Sequence, residues 1–219
     1  MAAIVEDDVS CATRLLRADA SLATCLTRKA KLYNSTIFHW IYVGDSALHL
    51  AAAGYRVEIV RLLVAAGADP NAAKNHRKSS PLHYAADGFI TGPVWDEKKQ
   101  VATLRCLLQA GADIHLQDTN GATPLHRAVR THCAAAVTFL LQAGADPTLR
   151  NKPGSTPFHL AVQNTGRGGS GAPEAIRAQR DIIKVFLSFG VSPNLKNSKG
   201  KSVTDSAQIA WIQDVLAGD

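Results

Sequence analysis

The stretch Gly121-Ala-Thr-Pro-Leu-His-Arg-Ala128 decides the fold of this chain, because close copies of it recur. In each copy a hydroxyl residue is followed by Pro or Ala, an apolar residue and His, with Ala two residues after the His. The other copies are Ser46-Ala-Leu-His49, Ser80-Pro-Leu-His83 and Thr156-Pro-Phe-His159. Their histidines follow one another at intervals of 34, 43 and 33 residues. A period in this range indicates a protein built from stacked repeats.

A second signal, Ala-Gly-Ala-Asp, follows each copy. It occupies residues 66–69, 110–113 and 143–146, with a weaker form at 189–192. Ser or Thr before Pro is typical of a helix start, because the hydroxyl caps a backbone amide and Pro suits the first turn. Apolar residues at helical spacing lie between the two signals, and the Gly is typical of a left-handed helix end. Each repeat is therefore predicted to be a pair of helices followed by a turn.

This pattern resembles the ankyrin-repeat family, whose signature Gly-x-Thr-Pro-Leu-His-x-Ala recurs about every 33 residues. The resemblance covers nearly the whole chain and implies an all-α ankyrin-repeat solenoid of about six units, including degenerate caps. We predict a single domain over residues 1–219. Its parts are a degenerate N-terminal unit with an extended hairpin (1–39), four repeats (40–74, 75–117, 118–150 and 151–196) and a C-terminal cap (197–219). In this family the repeated His hydrogen-bonds across the turns, which makes a structural role the expectation for His49, His83, His126 and His159.

Composition excludes several classes of protein. Apolar residues make up 46% of the chain and the mean hydropathy is -0.03, which argues against a disordered chain and against a membrane protein. The first ten residues contain Glu6, Asp7 and Asp8 and no basic segment, so no secretory signal is predicted. The four cysteines have neither CxxC nor zinc-site spacing, which favours a reducing, cytoplasmic environment.

No catalytic, cofactor-binding or metal-binding arrangement is predicted, and we expect a protein that is not an enzyme. The glycine-rich run within 165–171 lacks the Lys-Ser/Thr ending and the preceding strand of a phosphate-binding loop. The formal net charge of +6 attracts anions. Binding to nucleic acid is nevertheless unlikely, because the basic residues form no long run with interleaved aromatics.

Three insertions interrupt the repeats. The first, before Gly44, has high strand propensity from Thr36 to Val43 and predicts an extended hairpin. Its aromatic side chains, including Trp40, either anchor a partner or fold over the N-terminal end of the stack. The second insertion, 88–100, carries Trp95, which docks either on its own stack or on a partner. The third, 165–178, is rich in glycine and predicts a mobile loop.

The family resemblance also predicts where a partner binds. Ankyrin-like stacks usually bind partners on the concave face, which consists of the turn tips and the exposed side of the first helices. Carried over position by position, and with the inserted Trp95 added, this gives Tyr42, Asp45, His76, Arg77, Trp95, Arg127, Arg130, Lys152, Lys199 and Lys201. Basic residues outnumber acidic ones there, which favours an acidic protein partner. The alternative is a basic edge that only keeps the protein soluble.

These observations favour a monomeric, cytoplasmic, non-catalytic module for protein–protein interaction, without a cofactor and without membrane attachment. Two alternatives stay open: an enzyme or cofactor-binding protein with a site near the inserted loops, and a weak nucleic-acid-binding protein that uses the basic turn edge. Lys78 stands where the family has a turn glycine, and this puts the turn geometry at that position in question.

Overall fold

The computed structural model describes residues 1–33, 37, 39–88, 95–163 and 172–218. Helices α1 (Ala2–Val5) and α2 (Val9–Ala18) and a 3-10 helix (Ala20–Ala23) precede two short strands, β1 (Lys31–Tyr33) and β2 (His39–Ile41). Four helix pairs follow: α3 (Ala47–Ala53) with α4 (Val57–Ala65), α5 (Pro81–Ala86) with α6 (Glu97–Gln109), α7 (Pro124–Arg130) with α8 (Ala134–Gln142), and α9 (Pro157–Ala161) with α10 (Pro173–Ser188). Helices α11 (Val203–Ser206) and α12 (Ala210–Ala217) come last.

The helix pairs stack in two rows. Helices α3, α5, α7 and α9 contact one another in order and form the inner row. Helices α4, α6, α8 and α10 do the same and form the outer row. The predicted helical solenoid is therefore confirmed. The antiparallel pair β1–β2 adds a small two-stranded sheet, which agrees with the predicted hairpin.

A reciprocal cap starts the inner helices. At α7, the Thr123 hydroxyl accepts the backbone N–H of His126 at 3.4 Å, while His126 Nδ1 accepts the N–H of Thr123 at 3.2 Å. This is a capping box in which His replaces the usual Glu or Gln. Ser46 with His49 and Ser80 with His83 form the same box. The sequence signature thus acts first as a local helix-start signal.

The turns after the outer helices have the predicted left-handed glycines. Gly67 and Gly144 both have φ of +91°, a conformation that glycine adopts without the steric cost of a Cβ. The structure answers the question that Lys78 raises about the geometry of its turn. Lys78 adopts the left-handed conformation itself, with φ of +49°, and its N–H donates to the carbonyl of Asn75 at 2.9 Å.

Small side chains let the inner helices approach closely. Ala51, Ala85 and Ala128 are fully buried there. The outer row contributes larger buried residues, and in the last repeat the rings of Phe158 and Phe186 stack with centroids 4.7 Å apart. Each helix pair buries its apolar side against its neighbours, so the core is continuous along the stack.

The ends of the stack are closed by polar contacts. At the N-terminal end, the Arg56 guanidinium donates to the carbonyls of Ile4 and Val5 at 3.3 and 3.0 Å. At the C-terminal end, Ser202 caps α11, and the Asp205 carboxylate accepts the Ser202 N–H at 2.8 Å. Asp205 therefore takes the place of the signature His in this last unit.

The inserted segments are described in part. Phe38, residues 89–94 and residues 164–171 lie outside the described residues. The glycine-rich part of the third insertion, where a mobile loop is expected, lies outside the described residues, whereas from Pro173 onwards the insertion belongs to α10. In the described part of the chain, no helix combines the length and the apolar character needed to cross a bilayer.

Candidate functional surface

The inserted hairpin lies along the inner row and not over the N-terminal end of the stack. Ile37 is buried and sits so close to Gly54, at the end of α3, that a Cβ on Gly54 would be 3.1 Å from the Ile37 side chain. The His39 ring lies 4.5 Å from the ring of Tyr84 in α5. The hairpin therefore covers the inner face of α3 and α5, and a partner that approaches there meets the hairpin first.

The two faces of the hairpin differ in exposure. Ile41 is buried against the stack, whereas Leu32 and Trp40 are 40% and 49% exposed. Leu32 and Trp40 are direct partners in the β1–β2 register, so both point away from the stack. Val43 is 54% exposed just after β2. Of the two alternatives for these aromatic side chains, contact with a partner or packing on the stack, the exposure of Trp40 is compatible with contact with a partner.

Tyr42, His76 and Arg77 form a cluster at the tips of the first two turns. The Tyr42 ring stacks on Trp40 at 6.4 Å between centroids and meets the edge of His76 at 4.8 Å. Arg77 lies 5.3 Å from the Tyr42 ring centroid and donates from Nη1 to Tyr42 Oη at 3.0 Å. The structure thus brings these three predicted residues together with Trp40.

Asp45 is not at the surface, and its prediction as a partner contact is wrong. Its side chain is fully buried and accepts hydrogen bonds from Tyr84 Oη at 2.7 Å, Asn75 Nδ2 at 2.8 Å and the Tyr42 N–H at 2.6 Å. The carboxylate therefore fixes the first turn to the second. Asn75 and Tyr84 were not predicted, because neither residue belongs to the repeated signature.

Arg127 is also buried, so its prediction as a direct partner contact is wrong. Its guanidinium donates to Asp87 Oδ2 at 2.8 Å, Asp118 Oδ2 at 2.6 Å and Ser79 Oγ at 3.0 Å. A buried guanidinium needs such partners, since an unpaired charge away from water is costly. Arg130, one helical turn later, remains about half exposed and lies 3.2 Å from Asp87.

The carboxylates around Arg127 are held ionised. Burial alone would raise the pKa of Asp87, but the hydrogen bond from His39 and the charges of Arg127 and Arg130 bring the pKa well below its ordinary value. Burial opposes ionisation of Asp118 too, and the bonds from Arg127 lower its pKa. The result is a buried ionic network that links the hairpin, α5 and α7.

The four repeated histidines join neighbouring units, as predicted. Nδ1 accepts at the helix start, so Nε2 carries the proton and donates to a carbonyl of the next turn. For His49 and His126 the acceptors are the carbonyls of Ser79 at 2.9 Å and Ser155 at 3.1 Å. His83 and His159 reach Ala122 and Lys201 in the same way. Burial lowers the pKa of all four, which keeps them neutral and bonded.

Trp95 rests partly on its own stack. The side chain is half-buried, and its indole N–H donates to Gln100 Oε1 at 3.1 Å. The Gln100 amide in turn donates to the carbonyl of Ala85 at 3.1 Å. Trp95 is therefore anchored through Gln100 to the end of α5, and none of its described contacts is with the Tyr42 cluster.

The remaining predicted residues, Lys152, Lys199 and Lys201, are exposed at the tips of later turns. These tips are tied together by the backbone, since the N–H of Lys152 donates to the Asn120 carbonyl at 2.8 Å and the N–H of Ser198 to the Gly154 carbonyl at 3.0 Å. Turn segments 147–155 and 192–201 contain five basic residues and no acidic one: Arg150, Lys152, Lys196, Lys199 and Lys201. The tips of these later turns are therefore cationic.

Two observations concern metal binding and catalysis. Within the described ranges, no group of three or more His, Cys, Asp or Glu side chains is placed to hold a metal ion. An open groove of about 570 Å³ lies between the turns at 147–148 and 189–196, and its lining includes Phe189, Leu195 and Lys196. Lys196 is the one ionisable side chain in that lining, so the groove offers no acid–base pair.

Comparison with protein-family models gives two matches. The model described as Ankyrin repeats (3 copies) matches residues 97–197, and the model described as Ankyrin repeat matches residues 43–75. Together they contain three of the four copies of the signature, and the copy Ser80-Pro-Leu-His83 lies between the two matched ranges.

Curated mouse and human proteins have sequences similar to parts of this chain. The mouse B-cell lymphoma 3 protein homolog is 29% identical over 139 residues, covering 62% of this chain and 26% of that protein. Mouse Ankyrin repeat and SOCS box protein 6 is 36% identical over 84 residues, covering 38% and 18%. The human B-cell lymphoma 3 protein is 32% identical over 114 residues, covering 50% and 21%. The chain thus spans about a quarter or less of the length of these relatives.

Proposed function

The chain belongs to the ankyrin-repeat family, and from that premise we propose that it is a non-catalytic module that binds a protein with an acidic surface. The partner contacts the turn tips, the exposed side chains of the inner helices and the inserted hairpin. The residues proposed for this contact are Tyr42, His76, Arg77, Trp95, Arg130, Lys152, Lys199 and Lys201.

One observation carries the proposal: three of the turn segments along the edge are cationic and contain no carboxylate. These are the second, fourth and fifth turns, 74–78, 147–155 and 192–201, which contain Lys and Arg but neither Asp nor Glu. The acidic residues near the first turns, Asp45 and Asp87, are engaged by internal hydrogen bonds. The field that a partner meets along this edge is therefore positive, which favours encounter with an acidic surface.

Rigidity supports the same function. The buried histidines and the Arg127 network fix each turn to the next, so the exposed side chains are presented in a fixed order along the edge. A preorganised surface loses less conformational entropy on binding than a flexible one. An interaction module benefits from this arrangement, whereas catalysis needs ionisable groups that converge on one pocket.

The test compares two variants of equal charge. In the edge variant, Lys152, Lys199 and Lys201 are each replaced by Glu. In the control variant, Lys98, Lys99 and Lys184, exposed on the outer row, are each replaced by Glu. Each variant lowers the formal net charge by six, from +6 to zero, so long-range electrostatics change equally.

Immobilised wild type and both variants are incubated with lysate, in parallel with and without nuclease treatment, and the retained proteins are identified and their dissociation constants measured. We expect acidic proteins that the control variant retains and the edge variant loses, with weaker binding at high salt. Equal retention by both variants would contradict the proposal. Retention that disappears on nuclease treatment would instead support the nucleic-acid alternative.

A further inference from the structure

The outer face of the hairpin is an apolar strip with a cationic border. Leu32 and Trp40 face each other across the two strands, and Val43 follows β2 in sequence; all three are at least 40% exposed. Tyr42, half-buried beside Trp40, extends it towards the turn tips. Isolated exposed apolar residues are common, but a contiguous set on one face of a ribbon is typical of an interaction site.

The border of this strip is positively charged. Segments 27–43 and 70–80 contain six Lys or Arg residues and no Asp or Glu: Arg28, Lys29, Lys31, Lys74, Arg77 and Lys78. Asp45, the nearest carboxylate in sequence after β2, is fully buried and already hydrogen-bonded. The two segments therefore contain no carboxylate that could neutralise these six positive charges.

Arg77 has a fixed position but no acidic partner. Its guanidinium is held by the Tyr42 ring and the Tyr42 hydroxyl. Among the described residues it forms no ion pair, whereas Arg127 and Arg130 both lie within ion-pair distance of Asp87. A guanidinium held in place with unused N–H groups is suited to receive a carboxylate.

We propose, on the basis of the proposed function, that this face binds an acidic peptide segment of the partner that carries a bulky apolar side chain. The apolar side chain packs on Trp40 and Leu32, and a neighbouring carboxylate pairs with Arg77. Within the described residues the sheet has only two strands, so an extended peptide can also add backbone hydrogen bonds along an outer strand edge.

The chemistry of the strip favours a peptide over a nucleic acid. Single-stranded nucleic acids bind by stacking bases on free aromatic faces. Here the Tyr42 ring is already in contact with Trp40, Arg77 and His76. Leu32 and Val43 are aliphatic and offer no stacking surface, but they suit an aliphatic or aromatic side chain of a peptide.

The experiment uses a short fluorescein-labelled peptide in which Asp and Glu alternate with Phe and Leu, titrated with the full chain. We expect Trp40→Ser and Arg77→Gln each to weaken binding by about tenfold or more, and Arg77→Lys to recover part of the loss. Phe189→Ser is the matched control, because Phe189 is an exposed aromatic residue far along the stack, 42% exposed. It should leave the dissociation constant unchanged.

A spectroscopic measurement tests the same contact without changing Trp40 or Arg77, so it does not depend on whether those variants fold. The chain has three tryptophans, so replacing Trp95 and Trp211 by Phe leaves Trp40 as the reporter. Its emission should shift to shorter wavelength when the acidic peptide binds, because the exposed indole is removed from water. A peptide with Lys in place of Asp and Glu should produce no shift.

Three outcomes would overturn the inference. The first is that Trp40→Ser binds the peptide as tightly as wild type does. The second is that the Trp40 emission stays unchanged when the peptide is saturating. The third is that oligothymidylate or phosphatidylserine vesicles bind in a Trp40-dependent way and the peptide does not. If the edge variant loses the peptide while Trp40→Ser keeps it, the proposed function stands and this inference fails. If no variant matters and no acidic protein is retained, both fail.

Discussion

His39 Nε2 lies 3.5 Å from Asp87 Oδ2 and joins the inserted hairpin to the end of α5. On the other side of the ring, Nδ1 lies 2.7 Å from the Trp40 carbonyl oxygen. Both ring nitrogens therefore lie beside oxygen atoms, one on the end of α5 and one on the hairpin itself. Because Asp87 also binds Arg127, the same carboxylate connects the hairpin to the buried network of the stack.

The first prediction concerns this connection. Replacing His39 by Ala should speed amide hydrogen exchange at residues 39–41 and lower the free energy of unfolding by about 1 kcal/mol, the usual size for one lost polar contact. The loss should be modest because Asp87 keeps Arg127 and Arg130. Exchange measured by mass spectrometry, with urea unfolding in parallel, provides both readouts.

His39→Phe is the informative comparison, since it keeps the contact with the Tyr84 ring and removes the ion pair. It should fall between wild type and His39→Ala. Trp40→Ala, which changes the outward face, should leave the exchange of residues 39–41 close to that of wild type. Unchanged exchange in His39→Ala would show that the ring does not hold the hairpin.

The second prediction concerns Arg127. Arg127→Ala should lower the free energy of unfolding by about 3–5 kcal/mol, because it leaves the carboxylates of Asp87 and Asp118 buried without their main partner. Arg130→Ala should cost less than about 1 kcal/mol, since its side chain is about half exposed and solvent screens the pair. Urea unfolding at pH 7 measures both, and similar losses in the two variants would contradict the proposed burial effect.

The sequence predicts the stack well because its signals are local. A Ser or Thr before Pro, with His three residues after the hydroxyl, is a helix cap that needs no tertiary information. The left-handed glycines and the bridging histidines repeat with the period of the units, so one unit predicts the others. The inner row and the outer row were predictable in this way, and the hairpin was predictable from the strand propensity of its own residues.

The surface assignments were less predictable, because burial depends on contacts distant in sequence. Asp45 and Arg127 occupy positions that the family pattern places at the binding face, yet Tyr84 and Asp87 of another unit bury them. The path of the hairpin was equally hidden, since the packing of Ile37 on Gly54 follows from an insertion outside the repeat pattern. One signal was available: Asp87 and Arg127 lie on or at the end of the inner helices of neighbouring units, where opposite charges can pair.

The third prediction is a loss of stability in mild acid. Burial lowers the pKa of His83 to about 4, below the value near 6.5 of an unfolded His. The unfolded chain therefore binds the proton first, so this contribution to stability is complete above pH 6.5 and is lost as pH falls towards 4. Between pH 7 and pH 5 the His83 contribution alone should fall by about 2 kcal/mol.

Urea unfolding at pH 7, 6 and 5 measures this loss. His83→Gln should be less stable at pH 7 but should show a smaller decrease between pH 7 and 5. Asp87 and Asp118 do not confuse the result, because their lowered pKa values keep them ionised across this window in the folded protein. An unchanged pH dependence in His83→Gln would show that other groups cause the acid sensitivity.

The last prediction uses the left-handed Lys78. A non-glycine residue with φ of +49° bears a steric cost of about 1–2 kcal/mol, part of which glycine's greater freedom in the unfolded chain cancels. Lys78→Gly should therefore raise the free energy of unfolding by about 0.5–1 kcal/mol. Lys74→Gly is the matched control: it removes the same charge from the same exposed turn, but Lys74 is not among the residues with positive φ, so it should lower stability. Thermal and urea unfolding distinguish the two, and a loss of stability in both variants would mean that the Lys78 side chain contributes more than its backbone conformation costs.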